Sequence, residues 1–236
     1  VYKKKIKKFV GNEYTAFGRA LHTLCEHTIE NKIQEEDHDD FFEVVFEKEL
    51  MDLMRKNVEL NEQMTNDMLD QAKKISPQII PQVIKTFKNY EVFSVEERLY
   101  LDIPELDDCK FKGFIDLVLK TDDGKYHIID WKTCSWGWNM RRKSDPMVTY
   151  QLTFYKYFWA KKHGVDLKDI ETHFALMKRT AKKEHIEIFR VTSGDKKVNN
   201  ALNFMNKALY NINRKMKIKN RLSCSRCDLY KTEHCK

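Results

Sequence analysis

At 236 residues the chain is long enough to bury a substantial core, and it carries a net charge of +7. No apolar run reaches transmembrane length and no signal-peptide pattern opens the sequence, so a membrane-embedded or secreted protein is not expected, and a cytosolic one is. Six cysteines in such a chain do not suggest a disulfide framework.

The charge is unevenly placed. Lys3-Lys4-Lys5 with Lys7-Lys8 makes a basic N-terminus, residues 26 to 70 hold fifteen acidic against four basic side chains, and residues 178 to 222 hold thirteen basic against three acidic. An acidic run of this kind is an ordinary solvated face, whereas the basic ends are candidates for phosphate contact.

In chain order, a helix is predicted over about 14 to 32, with Phe17, Leu21, Leu24 and Thr28 as its buried stripe and Gly18, His22, Cys25 and Glu26 on the adjoining face. A lone histidine beside an apolar stripe is more often packed than ligating, and His27 and His38 have no motif around them. One or two acidic helices are expected over about 40 to 74, another from Pro77 to Tyr90, and strands near 93 to 103, 111 to 120 and 125 to 133.

The last two strands carry the chain's most informative residues, Gly113-Phe-Ile-Asp116 and Asp130-Trp131-Lys132. Period-two alternation points Asp130 and Lys132 the same way, and charges in so apolar a run are costly unless their face opens onto a metal, a ligand or water. Thr121-Asp-Asp-Gly-Lys125 fits a three-residue hairpin loop with Gly124 left-handed, which opposes residues whose numbers sum to 246: Asp116 to Asp130, Val118 to Ile128 and Phe114 to Lys132. A two-residue Asp-Gly turn would instead put the two aspartates on opposite faces. The chemistry favours the odd loop, because two carboxylates and a lysine on one surface suit a metal-dependent phosphodiesterase, while a solvated carboxylate beside a surface ion pair is the plainer alternative.

Beyond Lys132, Trp136 and Trp138 with Arg141, Arg142 and Lys143 form a loop too aromatic for ordinary solvent exposure. It could stack on bases and hold phosphates, or else close the core or meet a partner. A helix follows from about 147 to 163 with Gln151 and Tyr155 one turn apart, then strands near 170 to 178 and 184 to 191 and a basic helix from about 195 to 217. The tail ends in Cys224, Cys227 and Cys235. Helices around a mixed sheet make the fold α/β.

Four motifs in this order, Gly18-x-x-x-His22, Gly113-x-x-Asp116, Asp130-x-Lys132 and Gln151-x-x-x-Tyr155, resemble the RecB-like branch of the PD-(D/E)xK nuclease superfamily over roughly residues 14 to 235. The resemblance implies a restriction-endonuclease-like core in a single domain over 1–236, with an unmatched helical insertion near 35 to 90 and a cysteine-containing tail from 222 to 236. It implies His22, Asp116, Asp130 and the Trp131 carbonyl as ligands of magnesium or manganese, Lys132 as the residue that orients or activates water, and Gln151 and Tyr155 beside the scissile strand. Glu96 stands where the branch often places a further acid, with Glu97 competing for the role. The cysteine tail resembles that of family members holding a 4Fe–4S cluster with a fourth cysteine upstream of the first motif. No cysteine precedes Gly18 in this sequence, so the fourth ligand is expected either upstream of Val1 or from Cys25 or His234, with zinc favoured over iron if histidine takes part, and three unliganded thiols are the plainer alternative.

The function expected is a metal-dependent DNA nuclease, an exonuclease on ends or single strands in repair, recombination or replication, in the cytoplasm of a prokaryote or a bacteriophage. The alternatives are a structure-specific or restriction-type endonuclease, or a non-catalytic DNA-binding scaffold. No helicase motif is present, so a helicase or recombination partner would be a separate chain or a further segment.

Overall fold

The computed structural model describes residues 9–103, 109–216, 224, 227, 230–233 and 235. The N-terminal lysines and His234 lie outside them. Two compact units divide the chain, residues 1–198 and 199–236.

In the first unit, α1 (Glu13–Ile29) begins at Asn12, whose side chain accepts the Thr15 N–H while the Thr15 hydroxyl accepts the Asn12 N–H, a reciprocal cap that satisfies two otherwise orphaned donors. The acidic stretch becomes two helices, α2 (His38–Arg55) and α3 (Glu62–Ile75), followed by the short α4 (Ile79–Phe87). Their apolar residues turn inward: Phe42 and Phe46 meet Phe17 of α1 edge-on at 5.5 and 5.9 Å, and Leu53, Met68, Ile75 and Val83 join the same core. The segment without a motif is therefore built into the main core together with α1 and the sheet.

Among the described residues five strands follow in spatial order β1 to β5: β1 (Tyr90–Asp102), β2 (Lys110–Thr121), β3 (Tyr126–Cys134), β4 (Ile170–Lys178) and β5 (Ile186–Arg190). Among the described residues only β3 and β4 run parallel, joined by the crossover helix α6 (Pro146–His163). Asp145 caps α6 with Pro146 in its first turn, and Gly164 at φ +67° ends it.

The β2–β3 hairpin has the odd loop. Gly124 stands at φ +79° and its N–H donates to the Thr121 carbonyl at 2.8 Å, and Leu117 pairs with Ile129 and Val118 with Ile128. Odd-numbered Leu117, Leu119, Ile129 and Trp131 consequently face the core of α1 to α4. The other face meets α6, where Trp159 lies 4.9 Å from Tyr126 and Phe158 stacks on Phe111 at 4.0 Å.

One element gave no periodic signal, α5 (Met140–Ser144), a single turn started by Asn139 accepting the Arg142 N–H at 2.9 Å. Helix α7 (Asp195–Asn213) runs across the unit boundary, and in the second unit its end is closed by bonds from the Arg214 N–H to the Tyr210 carbonyl and from the Met216 N–H to that of Asn211. Among the described residues no helix is long and apolar enough to cross a membrane.

Candidate active site

Two glycines set the spacing of the site. A Cβ at Gly18 would press on the Thr133 hydroxyl at 3.3 Å, so the bare glycine lets α1 lie against the end of β3 and brings His22, one turn on, over the sheet. A Cβ at Gly113 would stand 2.8 Å from the Tyr155 ring, so this glycine lets α6 set its tyrosine onto β2. Gln151 Nε2 donates to the Tyr155 hydroxyl at 3.1 Å. Burial raises the Tyr155 pKa, and the charges of Asp130 and Asp116 push it the same way against the Gln151 hydrogen bond.

The β2–β3 pairing continues only to Leu117 and Ile129. One step further the Asp116 side chain takes over: its Oδ2 accepts the Trp131 N–H at 2.7 Å and lies 3.6 Å from His22 Nδ1. The expected facing of Asp116 with Asp130 and of Phe114 with Lys132 thus gives way to a splayed end, because the Asp116 carboxylate has replaced a ladder bond. Burial lowers the His22 pKa, but the hydrogen bond and charge of Asp116, helped by Asp130, more than reverse this and leave it raised.

Glu96 completes the cluster. It stands at φ +48° within β1, between the pairs Val95–Leu117 and Glu97–Ile115, a conformation that costs a non-glycine residue about 1–3 kcal/mol and persists only where the surroundings enforce it. Ligand atoms of His22, Glu96 and Asp116 all lie within 4.8 Å of one another. Burial, followed by the charges of Asp116 and Glu26, raises the Glu96 pKa. Glu97, its rival in the sequence, is committed elsewhere: it accepts from Trp159 Nε1 at 2.9 Å, Lys162 Nζ at 2.6 Å and the Ser94 hydroxyl at 2.6 Å, and stands 2.6 Å from His163 Nε2. Burial pushes its pKa up, but these bonds dominate and hold it at about 2.

Asp130 is 2% exposed and ion-paired with Lys132. Its pKa is raised, chiefly by burial and then by Asp116, against the pull of Lys132. Although the ammonium lies beside Oδ2, no hydrogen bond of acceptable geometry reaches that buried oxygen. The Asp130 carboxylate is not among the ligand atoms that gather within 4.8 Å, which are those of His22, Glu96 and Asp116, and these two carboxylates with one imidazole fit a divalent cation. The Trp131 side chain is core, so only its main chain is available to the site. A cleft of about 780 Å³ opens over His22, Glu96, Asp116 and Phe114.

The tryptophan loop divides. Trp136 is 76% exposed, whereas Trp138 is 9% exposed and packs on Phe174 at 5.0 Å with the Arg142 guanidinium over its ring at 4.6 Å. Trp138 therefore closes the core and is no platform for bases. Lys143 is paired with Glu187, which leaves Trp136, Arg141 and Arg142 as the exposed members of the set, with Arg142 lying over the Trp138 ring.

Cys25 lies elsewhere than its helical spacing implies. It is fully buried with its Sγ 3.6 Å from Met177 Sδ, and burial pushes its thiol pKa up, so it belongs to the core and not to the adjoining face. In the tail the Cys227 N–H donates to the Cys224 carbonyl at 3.1 Å, but among the described residues no three-ligand group includes these thiols. The described residues do not assemble a cluster site.

The model of the PD-(D/E)XK nuclease superfamily matches residues 2–232. The chain belongs to this superfamily. Its fold is similar to the crystal structure of a protein named "Putative exonuclease" from Eubacterium rectale (TM-score 0.50, 17% identity, 86% of this chain and 72% of that one). It also matches the crystal structure of SSO0001 at TM-score 0.40 and 10% identity, over 97% of this chain and 87% of that one. No curated protein matches the sequence. Membership in the superfamily makes the chain a hydrolytic nuclease with a restriction-endonuclease-like fold, of a kind that uses divalent metal.

Proposed function

We propose that the chain is a magnesium- or manganese-dependent DNA nuclease acting as an exonuclease on ends or single strands. The observation that carries this reading is the convergence of His22, Glu96 and Asp116 on one cleft, with the Asp130–Lys132 pair on the neighbouring strand. Their oxygens and single imidazole suit magnesium or manganese.

His22, Glu96, Asp116, Asp130 and the Trp131 carbonyl would hold the cation. When bound it supplies charge stabilisation at the phosphate and a more acidic water. Lys132, held by the buried Asp130 carboxylate, orients the attacking water, and its ammonium adds positive charge where the phosphate becomes more negative. Tyr155 and Gln151, bonded to each other and seated on β2 by Gly113, line the path of the scissile strand. Trp136 and Arg141 supply an exposed ring and cation for an unpaired strand.

The test is cleavage of end-labelled and circular DNA, single- and double-stranded, with Mn²⁺, Mg²⁺ or EDTA. The reading requires metal-dependent loss of linear DNA with circles spared, and inactivity of Asp116→Ala, Asp130→Ala and Lys132→Ala variants that remain folded by circular dichroism. Cutting of circles would establish the endonuclease alternative, and normal cleavage by Asp130→Ala would sink the mechanism.

A further inference from the structure

On the face of the sheet opposite Asp130, three residues outside the catalytic group converge. His127 is the second residue of β3, and Glu171 and His173 lie on β4, with His127 registered against Glu171. His127 Nδ1 and His173 Nε2 are 3.2 Å apart, and Glu171 Oε2 is 4.0 Å from each nitrogen. Metal–ligand bonds of about 2.0–2.1 Å place the ligand atoms of a tetrahedral zinc about 3.3–3.4 Å apart, so this triangle needs only small side-chain adjustments to close on an ion.

The surroundings prepare these atoms. His127 Nε2 lies 3.0 Å from the Thr121 hydroxyl, which is itself 2.6 Å from Asp123 Oδ1 and donates to it. The hydroxyl therefore accepts from His127 Nε2–H, and the lone pair of that imidazole sits on Nδ1, the atom turned toward His173. Glu171 divides its oxygens: Oε1 takes Arg190 at 3.1 Å and Lys125 at 3.4 Å, while Oε2 faces the imidazoles. Phe87 covers the pair at 4.9 and 5.1 Å from the two rings, and a pocket of about 320 Å³ reaches His127 from solvent. Burial lowers the pKa of both histidines, so both stand neutral, the ligating form, at pH 7.

We propose that His127, Glu171 and His173 form a second metal site, selective for zinc or a similar transition cation over magnesium, that cross-links β3 to β4. Two imidazoles and one carboxylate are a zinc set, with water as the fourth ligand. The ion replaces the proton shared between the imidazoles: His173 carries its hydrogen on Nδ1 instead of Nε2, and no net proton is released. The site is separate from the catalytic cation in ligands, in face and in metal preference.

The experiment is a long-range ¹H–¹⁵N histidine spectrum of the full wild-type chain during Zn²⁺ titration. It is paired with equilibrium dialysis of wild type, His127→Gln and Glu171→Gln against ⁶⁵Zn. The ring-nitrogen resonances of His127 Nδ1 and His173 Nε2 should shift to their metal-bound positions, and each variant should bind one zinc fewer than wild type. Thr121→Val should weaken that zinc about tenfold or more. The wild-type melting temperature should rise by several degrees with zinc, as for any ligand that binds only the folded state. Unchanged His127 and His173 resonances at saturating zinc would overturn the proposal, as would equal stoichiometry in wild type and both variants. Should the variants fail to fold, the wild-type spectrum alone decides.

Discussion

Glu96 and Glu97 are adjacent, chemically identical and assigned opposite tasks by one backbone angle. The left-handed turn at Glu96 takes its side chain out of the strand alternation toward His22 and Asp116, while Glu97 ties β1 to α6 through Trp159, Lys162 and His163. Glu96→Ala should therefore cut cleavage at least tenfold with little change in melting temperature. Glu97→Ala should cost roughly 2–3 kcal/mol, since its loss strands buried donors that bonded a charge. Denaturant melts and initial cleavage rates of both variants, measured side by side, check this, and a reversed pattern would exchange the two roles. No period or propensity in the sequence separates these residues. What separates them is a positive φ, and neither residue is of the glycine or asparagine type that usually announces one.

At the scale of elements, the turn, the motifs and most boundaries were legible because each rests on a local signal. Gly124 fixes the hairpin register, the helix expected to about 163 ends at Gly164, and the stripe of Phe17, Leu21, Leu24 and Thr28 on α1 is buried as its spacing implies, with Cys25 joining it. The tryptophan loop was not legible, since composition cannot tell a ring that packs under a sheet from one that faces solvent. Trp138→Ala should destabilise the protein by about 3–5 kcal/mol, the usual cost of emptying an aromatic site. Trp136→Ala should leave stability unchanged and weaken single-strand binding by roughly 1–3 kcal/mol. Thermal melts and anisotropy of a labelled oligonucleotide in Ca²⁺ separate the two, and equal binding by wild type and Trp136→Ala would remove the stacking role.

For the molecule as a whole, the helices between about 35 and 90 carried no motif yet supply much of the main core, because a core is specified by where apolar faces meet and not by any short pattern. They also make stability depend on acid. His38 at the start of α2 is buried, with Nε2 3.1 Å from the Thr28 hydroxyl of α1, and burial lowers its pKa against the opposing charges of Glu35, Asp39 and Asp37. The unfolded chain thus binds a proton here more readily than the folded one. The contribution is fully present above about pH 6.5 and declines as the pH falls below it. The melting temperature should drop between pH 7.5 and 5.5 in EDTA, and the drop should be smaller in His38→Gln; an unchanged drop would acquit this histidine. A different trade is set by Asp116, whose Oδ2 doubles as the acceptor that fastens β2 to β3 beyond their last pair. An asparagine there retains an oxygen for the Trp131 N–H and sheds a charge from a crowded pocket. Asp116→Asn should be catalytically dead and melt no lower than wild type, whereas Asp116→Ala should be dead and less stable. Activity at this position is then bought with tolerance to heat, and a screen for thermostable variants alone would drift toward an inert enzyme.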